Sequence, residues 1–229
     1  MKSRLTQGLF VVGACLLMSP LLLYSKLQWQ RPSRTNLAAP LFAGITYQRE
    51  VYETPWPYIV HIVSIDLTAA GLRVKVSSDD AIAEGSRDDN FETTAHTTSD
   101  FLVANSLQLA VNASYFYPFQ EKTPWNFYPH PGDRVNVVGE AIANGERYSD
   151  PKAHWPALCF GAGNQAQVAP DGTCPDGTLE AIAGSEVLLH HGKPIPLATK
   201  PDFPYARVAA AIDASGEHLW LIVVDGKQP

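Results

Sequence analysis

The sequence predicts an α+β domain, a β-rich mixed sheet with few short helices, and three observations carry that expectation. The 18 prolines and 16 glycines among 229 residues cut the chain into short segments separated by turns. Runs such as Tyr58-Ile59-Val60-His61-Ile62-Val63-Ser64-Ile65-Asp66 are rich in β-branched and aromatic residues with partial alternation, as in a strand with one wet face. Charged residues make up 17%, below the usual quarter or so of a globular chain, which argues against a coiled coil or helical bundle. Hydrophobic residues make up 45%, enough to build the core of one sizeable domain.

The N-terminus reads as an address. Lys2 and Arg4 precede a stretch, residues 5–25, that holds no charged residue. Its length is close to the roughly 20 residues a helix needs to span a bilayer, so a cleaved signal peptide and a retained anchor both fit. Lys26, Arg31 and Arg34 flank the other side, so charge bias sets no orientation. Cys15 lies inside the apolar run, not at its end. The expectation is export to a periplasmic or extracellular location, with residues 5–25 as the means of any membrane attachment. Residues 26–54 read as a tether followed by a strand near 45–51, and residues 55–229 as the domain proper.

Net charge narrows the partners. The whole chain carries 17 − 23 = −6, and without the first 25 residues the sum is 15 − 23 = −8. Such a body has no basic footprint for nucleic acid, which leaves small molecules, glycans or proteins. Apart from Cys15 the cysteines are a pair, Cys159 and Cys174, around a segment rich in Gly, Asn and Pro. A disulfide there would close a short loop worth ~3 kcal/mol in an oxidising compartment. A metal site would need a second Cys or His pair at ligand spacing, so no metal and no cofactor is expected.

Along the body, Ala70-Gly71 turns the first long strand into a strictly alternating second one at 72–77, and His61 reads as a polar-face residue. Thr97-Thr98-Ser99-Asp100 offers N-caps for a short helix over 101–105. The apolar run at 107–112 reads as a buried strand delivering Asn112 to its end, although a turn role suits Asn112 equally. Residues 122–133, rich in Pro and aromatics, form a lid, a stacking surface for a sugar, or a loop pinned by its own rings. A strand at 134–142 ends in the hairpin signal Asn144-Gly145. Short strands follow at 155–160, 165–169, 179–182 and 186–190, where His190 and His191 would point apart. A final hairpin joins 206–213 to 219–224. Nucleotide-binding glycine loops, His-Glu-x-x-His and Gly-x-Ser-x-Gly are all missing from the sequence.

Several segments, in order, resemble the phosphodiester glycosidase family. Ala110-Val111-Asn112-Ala113-Ser114-Tyr115-Phe116 is similar to its Ile/Val-Asn-Gly/Ala-Gly/Ser-Phe-Phe hallmark. Ile142-Ala143-Asn144-Gly145 resembles Ile-Ser-Asp-Gly, and Ala183-Gly184 a glycine-containing strand. Pro204-Tyr205-Ala206-Arg207-Val208-Ala209 resembles Pro-Arg-Thr-Ala-Ile-Gly, and Val223-Val224-Asp225-Gly226-Lys227 resembles Val-Val-Asp-Gly-Arg. The likeness runs from about Tyr58 onward. Family members continue into a helix and a strand bearing Asn-Leu-Asp-Gly-Gly-Gly-Ser, so the resemblance implies a domain lacking its C-terminal part.

The resemblance implies a glycosidase-type hydrolase acting on a sugar-1-phosphodiester or related glycosidic bond. It places Arg207 and Asp225 in catalysis and Asn112, Tyr115 and Gly184 in substrate binding. Arg207 has the planar donor fork that suits a phosphate. Asp225, at the end of an apolar strand, suits a general acid or base. Scaffold roles stay open, including an Arg207–Asp225 pair across neighbouring strands. The rival reading is a catalytically inactive glycan- or envelope-binding module of the same fold.

Overall fold

The computed structural model describes residues 18, 20, 22, 24–25, 34–54, 57–78, 91–123, 125–196 and 205–226. The chain falls into two units, Met1–Thr35 and Asn36–Pro229. In the first, Met18, Pro20, Leu22, Tyr24 and Ser25 are helical and exposed, and the Ser25 hydroxyl donates to the Leu22 carbonyl at 2.9 Å. The rest of the expected leader or anchor lies outside the described residues. Among the described residues no helix is long and apolar enough to cross a membrane.

The second unit is built on two five-stranded sheets. Strands β1 (Leu37–Phe42), β2 (Ile45–Tyr52), β3 (Tyr58–Asp66), β16 (Arg207–Ile212) and β17 (His218–Val224) form the first, in the order β1-β2-β3-β17-β16. Strands β9 (Ala141–Ala143), β10 (Glu146–Ser149), β11 (Ala157–Phe160), β12 (Ala166–Ala169) and β13 (Glu180–Ala183) form the second, in the order β10-β9-β13-β11-β12. Between them in sequence lie β4 (Thr93–Thr94), helix α1 (Thr98–Ala104), β5 (Phe116–Tyr117), the hairpin β6 (Gln120–Thr123) and β7 (Asn126–Tyr128), and β8 (Arg134–Val137). A small hairpin of β14 (Leu189–His190) and β15 (Lys193–Pro194) precedes β16. Every ladder among the described residues is antiparallel.

The sheets meet on one apolar cluster. Val63, Ile65 and Leu219 from the first sheet, with Leu67 just beyond β3, pack against Leu158, Phe160 and Ala166 from the second. The opposite face of the second sheet buries Ile142, Ala157, Cys159, Ala169 and Ala181 with Cys174. All four residues of β11 are therefore buried, which explains why Ala-Leu-Cys-Phe shows no alternation. The disulfide Cys159–Cys174 fastens the connecting loop over that second face, with its Cα atoms 5.8 Å apart.

Several expected elements take another form. Residues 72–78 form no ladder: Leu72 and Val74 pack on the core as their alternation requires, while the Val76 N–H goes to the Glu180 carboxylate at 2.8 Å. Their expected partner β3 is paired on both edges already, with β2 and β17. Residues 107–112 are likewise irregular, although Leu109 packs on the core. The single strand expected over 134–142 is two, broken at Gly139, whose φ of +88° and 2.6 Å gap from a hypothetical Cβ to Ala183 Cβ leave room for no side chain. The Asn144-Gly145 hairpin turn, with both φ values positive, and the Thr97 cap on α1, accepting from the Asp100 N–H at 3.1 Å, form as expected. His190 and His191 do not point apart. Their ring centroids are 4.2 Å from each other, because His191 sits in a turn at φ +48° and not in extended chain.

Candidate functional site

The two-sheet unit has a tied end and a far end. At the tied end, side chains and backbone cross between the sheets. The Asn164 amide donates to the Leu67 and Leu72 carbonyls at 3.3 and 3.0 Å, and the Gln165 amide donates to the Ser215 carbonyl. The Ala166 N–H donates to the Gly216 carbonyl at 2.9 Å. The register then fixes what lies opposite. Phe160 pairs with Ala166 and Glu180 at the tied end, and Ala157 pairs with Ala169 and Ala183 at the other.

All five sequence-derived candidates belong to the far end. Gly184 directly follows β13, Arg207 opens β16, and Asp225 directly follows β17. The Asn112–Tyr115 stretch is drawn there by Ser114, whose hydroxyl accepts the Ala183 N–H at 3.0 Å. The Asn112 side-chain oxygen accepts from the Thr98 hydroxyl at 2.6 Å, so the first turn of α1 orients it. The exposed Tyr115 ring meets Trp155 edge to face at 5.6 Å, and the Lys152 ammonium lies 5.0 Å from the Trp155 ring centre. The Gly184 N–H donates to Pro156 at 2.7 Å. Asn112, Tyr115 and Gly184 are thus brought together through Ser114, Trp155 and Pro156. Residue spacing carries no sign of these three linking residues, since they meet only when the sheets assemble.

Arg207 and Asp225 stand differently. Register sets Arg207 opposite Val224, hence on the face of Trp220 and Ile222, away from the core face of Leu219 and Leu221. Its guanidinium lies 5.6 Å from the Tyr205 ring centre and donates to the Ala206 carbonyl at 3.3 Å. The half-buried Asp225 closes the ladder. Its N–H donates to the Ile59 carbonyl at 3.0 Å, and its carboxylate accepts the Ile59 N–H at 2.5 Å. One oxygen of this carboxylate is therefore held by the backbone of β3.

The core face of the first sheet holds a polar pair, His61 and Tyr47. His61 shares the face of Val63 and Ile65, so the polar-face reading is corrected: it is inward and half-buried. Its Nδ1 lies 2.7 Å from the Tyr47 hydroxyl, and the two rings stack at 6.0 Å. Tyr47 itself packs against the core cluster, and that is what gives the imidazole a polar partner on an apolar face.

Three carboxylates are structural. Glu140 is fully buried, 2.6 Å from the Arg147 guanidinium, and accepts the Cys174 N–H at 2.5 Å. It also lies near both cysteine sulfurs, but these are joined to each other and offer no thiolate to a metal. Glu180 takes the N–H groups of Val76 and Asn144, and burial pushes its carboxyl above the ordinary range against those bonds. Glu92 accepts the Val137 N–H at 2.7 Å and holds β8. Tyr148, pushed up to about 12 chiefly by burial, donates to the Ser77 carbonyl.

The family model described as phosphodiester glycosidase matches residues 105–229, more than half of the chain. The chain belongs to that family. The matched region holds the whole second sheet, strands β16 and β17, and all five candidate residues. Strands β1–β3, which complete the first sheet of this family member, lie before it. No curated protein and no solved structure matches the chain.

Proposed function

We propose that the protein is an exported hydrolase that cleaves a sugar-1-phosphodiester, or a related glycosidic bond, in the cell envelope. The observation that carries this reading is family membership across residues 105–229. Water adds to the anomeric carbon, the bond from that carbon to the phosphate oxygen breaks, and a free sugar and a phosphomonoester leave. A phosphomonoester with a second pKa near 6 is a good leaving group, so the site must chiefly activate water and stabilise the oxocarbenium-like transition state. Asn112, Tyr115 and Gly184 would bind the sugar, Arg207 the phosphate charge, and Asp225 would take the proton from water. Export is supported by Lys2 and Arg4 ahead of the apolar run and by the Cys159–Cys174 disulfide.

Two features favour the second reading, a glycan- or envelope-binding module without turnover. The Asp225 carboxylate is engaged by the Ile59 N–H, and Arg207 lies on the sheet face away from the core. Incubation with methyl N-acetylglucosaminyl-1-phosphate in ¹⁸O-water separates them. The hydrolase reading expects ¹⁸O in the released sugar; label in the phosphate, or no product at all, overturns it.

A further inference from the structure

The small sheet β4-β8-β5 carries a cation that the fold leaves unmatched. Thr93 of β4 pairs with Val135 of β8, and both are buried, so their face packs inward. Arg134 lies on the other face, directly opposite Thr94, and Asn136 shares that face opposite Tyr117. Arg134 and Tyr117 are therefore diagonal neighbours, about 7–8 Å apart, within reach of long and aromatic side chains. The Tyr128 hydroxyl pins the Arg134 carbonyl at 2.7 Å, so the backbone there is held. Nη1 of Arg134 is buried and has no hydrogen-bond partner among the described residues. The ion pairs among those residues do not include it. Glu92, just before β4, sends its carboxylate to the Val137 N–H, and the Thr94 hydroxyl is engaged with Nε2 of His96 at 3.0 Å. A buried charged donor is among the costliest polar groups to leave without an acceptor.

The surroundings indicate the acceptor. Tyr117 and Tyr115 are 52% and 57% exposed, and the Tyr115 carbonyl accepts the Val138 N–H at 2.8 Å, which ties the end of β8 to the candidate sugar-binding stretch. Exposed tyrosine rings can cover the C–H face of a pyranose, and a planar guanidinium matches a carboxylate. The net charge of −6 repels an acidic sugar in general, so a cation with no internal partner is where such a sugar gains.

We propose that Arg134, beside Tyr117, forms a subsite for a carboxylate-bearing sugar unit next to Tyr115, so that the glycan this protein binds is acidic, of the uronic acid class. The subsite rests on the reading of Tyr115 as a sugar-binding residue, and it leaves the phosphate to Arg207.

The test is binding, read without turnover. Full-length protein, isotopically labelled, is titrated with methyl glucuronide, neutral methyl glucoside and methyl phosphate in turn. The Arg134 Nε–H signal is assigned in the wild-type protein through its own side-chain spins, so the readout needs no variant. The glucuronide should move this signal saturably, and the glucoside should not. Arg134→Gln should weaken glucuronide binding ~10-fold or more, the loss of a charge-assisted contact, and its melting curve establishes that it folds. An unmoved Arg134 signal, or wild-type affinity in Arg134→Gln, overturns the subsite. Tighter binding of methyl phosphate at Arg134 overturns it too, by giving the cation to phosphate. Both sugars bound alike and lost in Tyr115→Ala, with Arg134 silent, would leave Tyr115 as a sugar-binding residue and remove the subsite. Arg134 shifts that persist unaltered in Tyr115→Ala would keep the carboxylate contact and remove that reading of Tyr115.

Discussion

The tied end and the far end of the two-sheet unit are made of the same strands and differ in how their backbone is held. At the tied end Asn164, Gln165, Ala166 and Gly216 bond across from one sheet to the other. At the far end each candidate side chain is held from its own neighbourhood: Asn112 by Thr98, Asp225 by Ile59, Tyr115 by Trp155. The lesson is a division of labour. One end fixes the spacing of the sheets, and the other places polar and aromatic groups at strand termini.

Glycine substitutions break the comparison most sharply. A Cβ on Gly216 would lie 2.2 Å from the Ala166 carbonyl oxygen at a φ of +72°, whereas one on Gly184 meets nothing nearer than 3.9 Å. Gly216→Ala should cost about 3 kcal/mol or more of unfolding free energy, and Gly184→Ala less than about 0.5 kcal/mol. Denaturant titrations of the two variants check this, and equal losses would erase the distinction between the ends.

Asn164→Ala should cost about 2 kcal/mol, since it strands the Leu67 and Leu72 carbonyls and puts alanine at a φ of +60°. Thermal unfolding measures it, and an unchanged midpoint would mean the sheets are spaced by the core alone.

The smallest expected effect sharpens the comparison through pH. Ser215 first, then the N–H groups of His218 and Glu217, hold Asp213 in the tied-end turn down to about 2 from an ordinary 3.8. A depressed carboxyl stabilises the fold above its unfolded pKa and loses that contribution as pH falls through the folded one. Between pH 3.8 and about 2, Asp213→Asn should therefore lose stability less steeply than wild type. Parallel acid limbs in the two proteins would contradict it.

Local patterns made much of this readable in advance. The strand Tyr58–Asp66, the final hairpin, the Asn144-Gly145 turn, the Thr97 cap and the cysteine pair each depend on chemistry within a few residues or on simple parity. Residues 72–78 and 107–112 were not readable as irregular, because alternation reports which side chains are buried and says nothing of which backbone groups pair. Strand β1, Leu37–Phe42, is apolar throughout but without alternation and carries Pro40, so no strand pattern marks it inside the expected tether. The polar partner of the inward His61, Tyr47, lies on another strand, and the gathering of Asn112, Tyr115 and Gly184 depends on Ser114 bonding Ala183. Such contacts exist only once the sheets are assembled.

The central claim is that ligand binds at the far end, and hydrogen exchange with a non-hydrolysable glycosyl phosphonate diester tests it most directly. The account predicts added protection of amides at 111–116, 183–185, 206–208 and 223–226, with none at 162–168 or 213–217. Protection confined to those tied-end segments, or no protection anywhere, would contradict it.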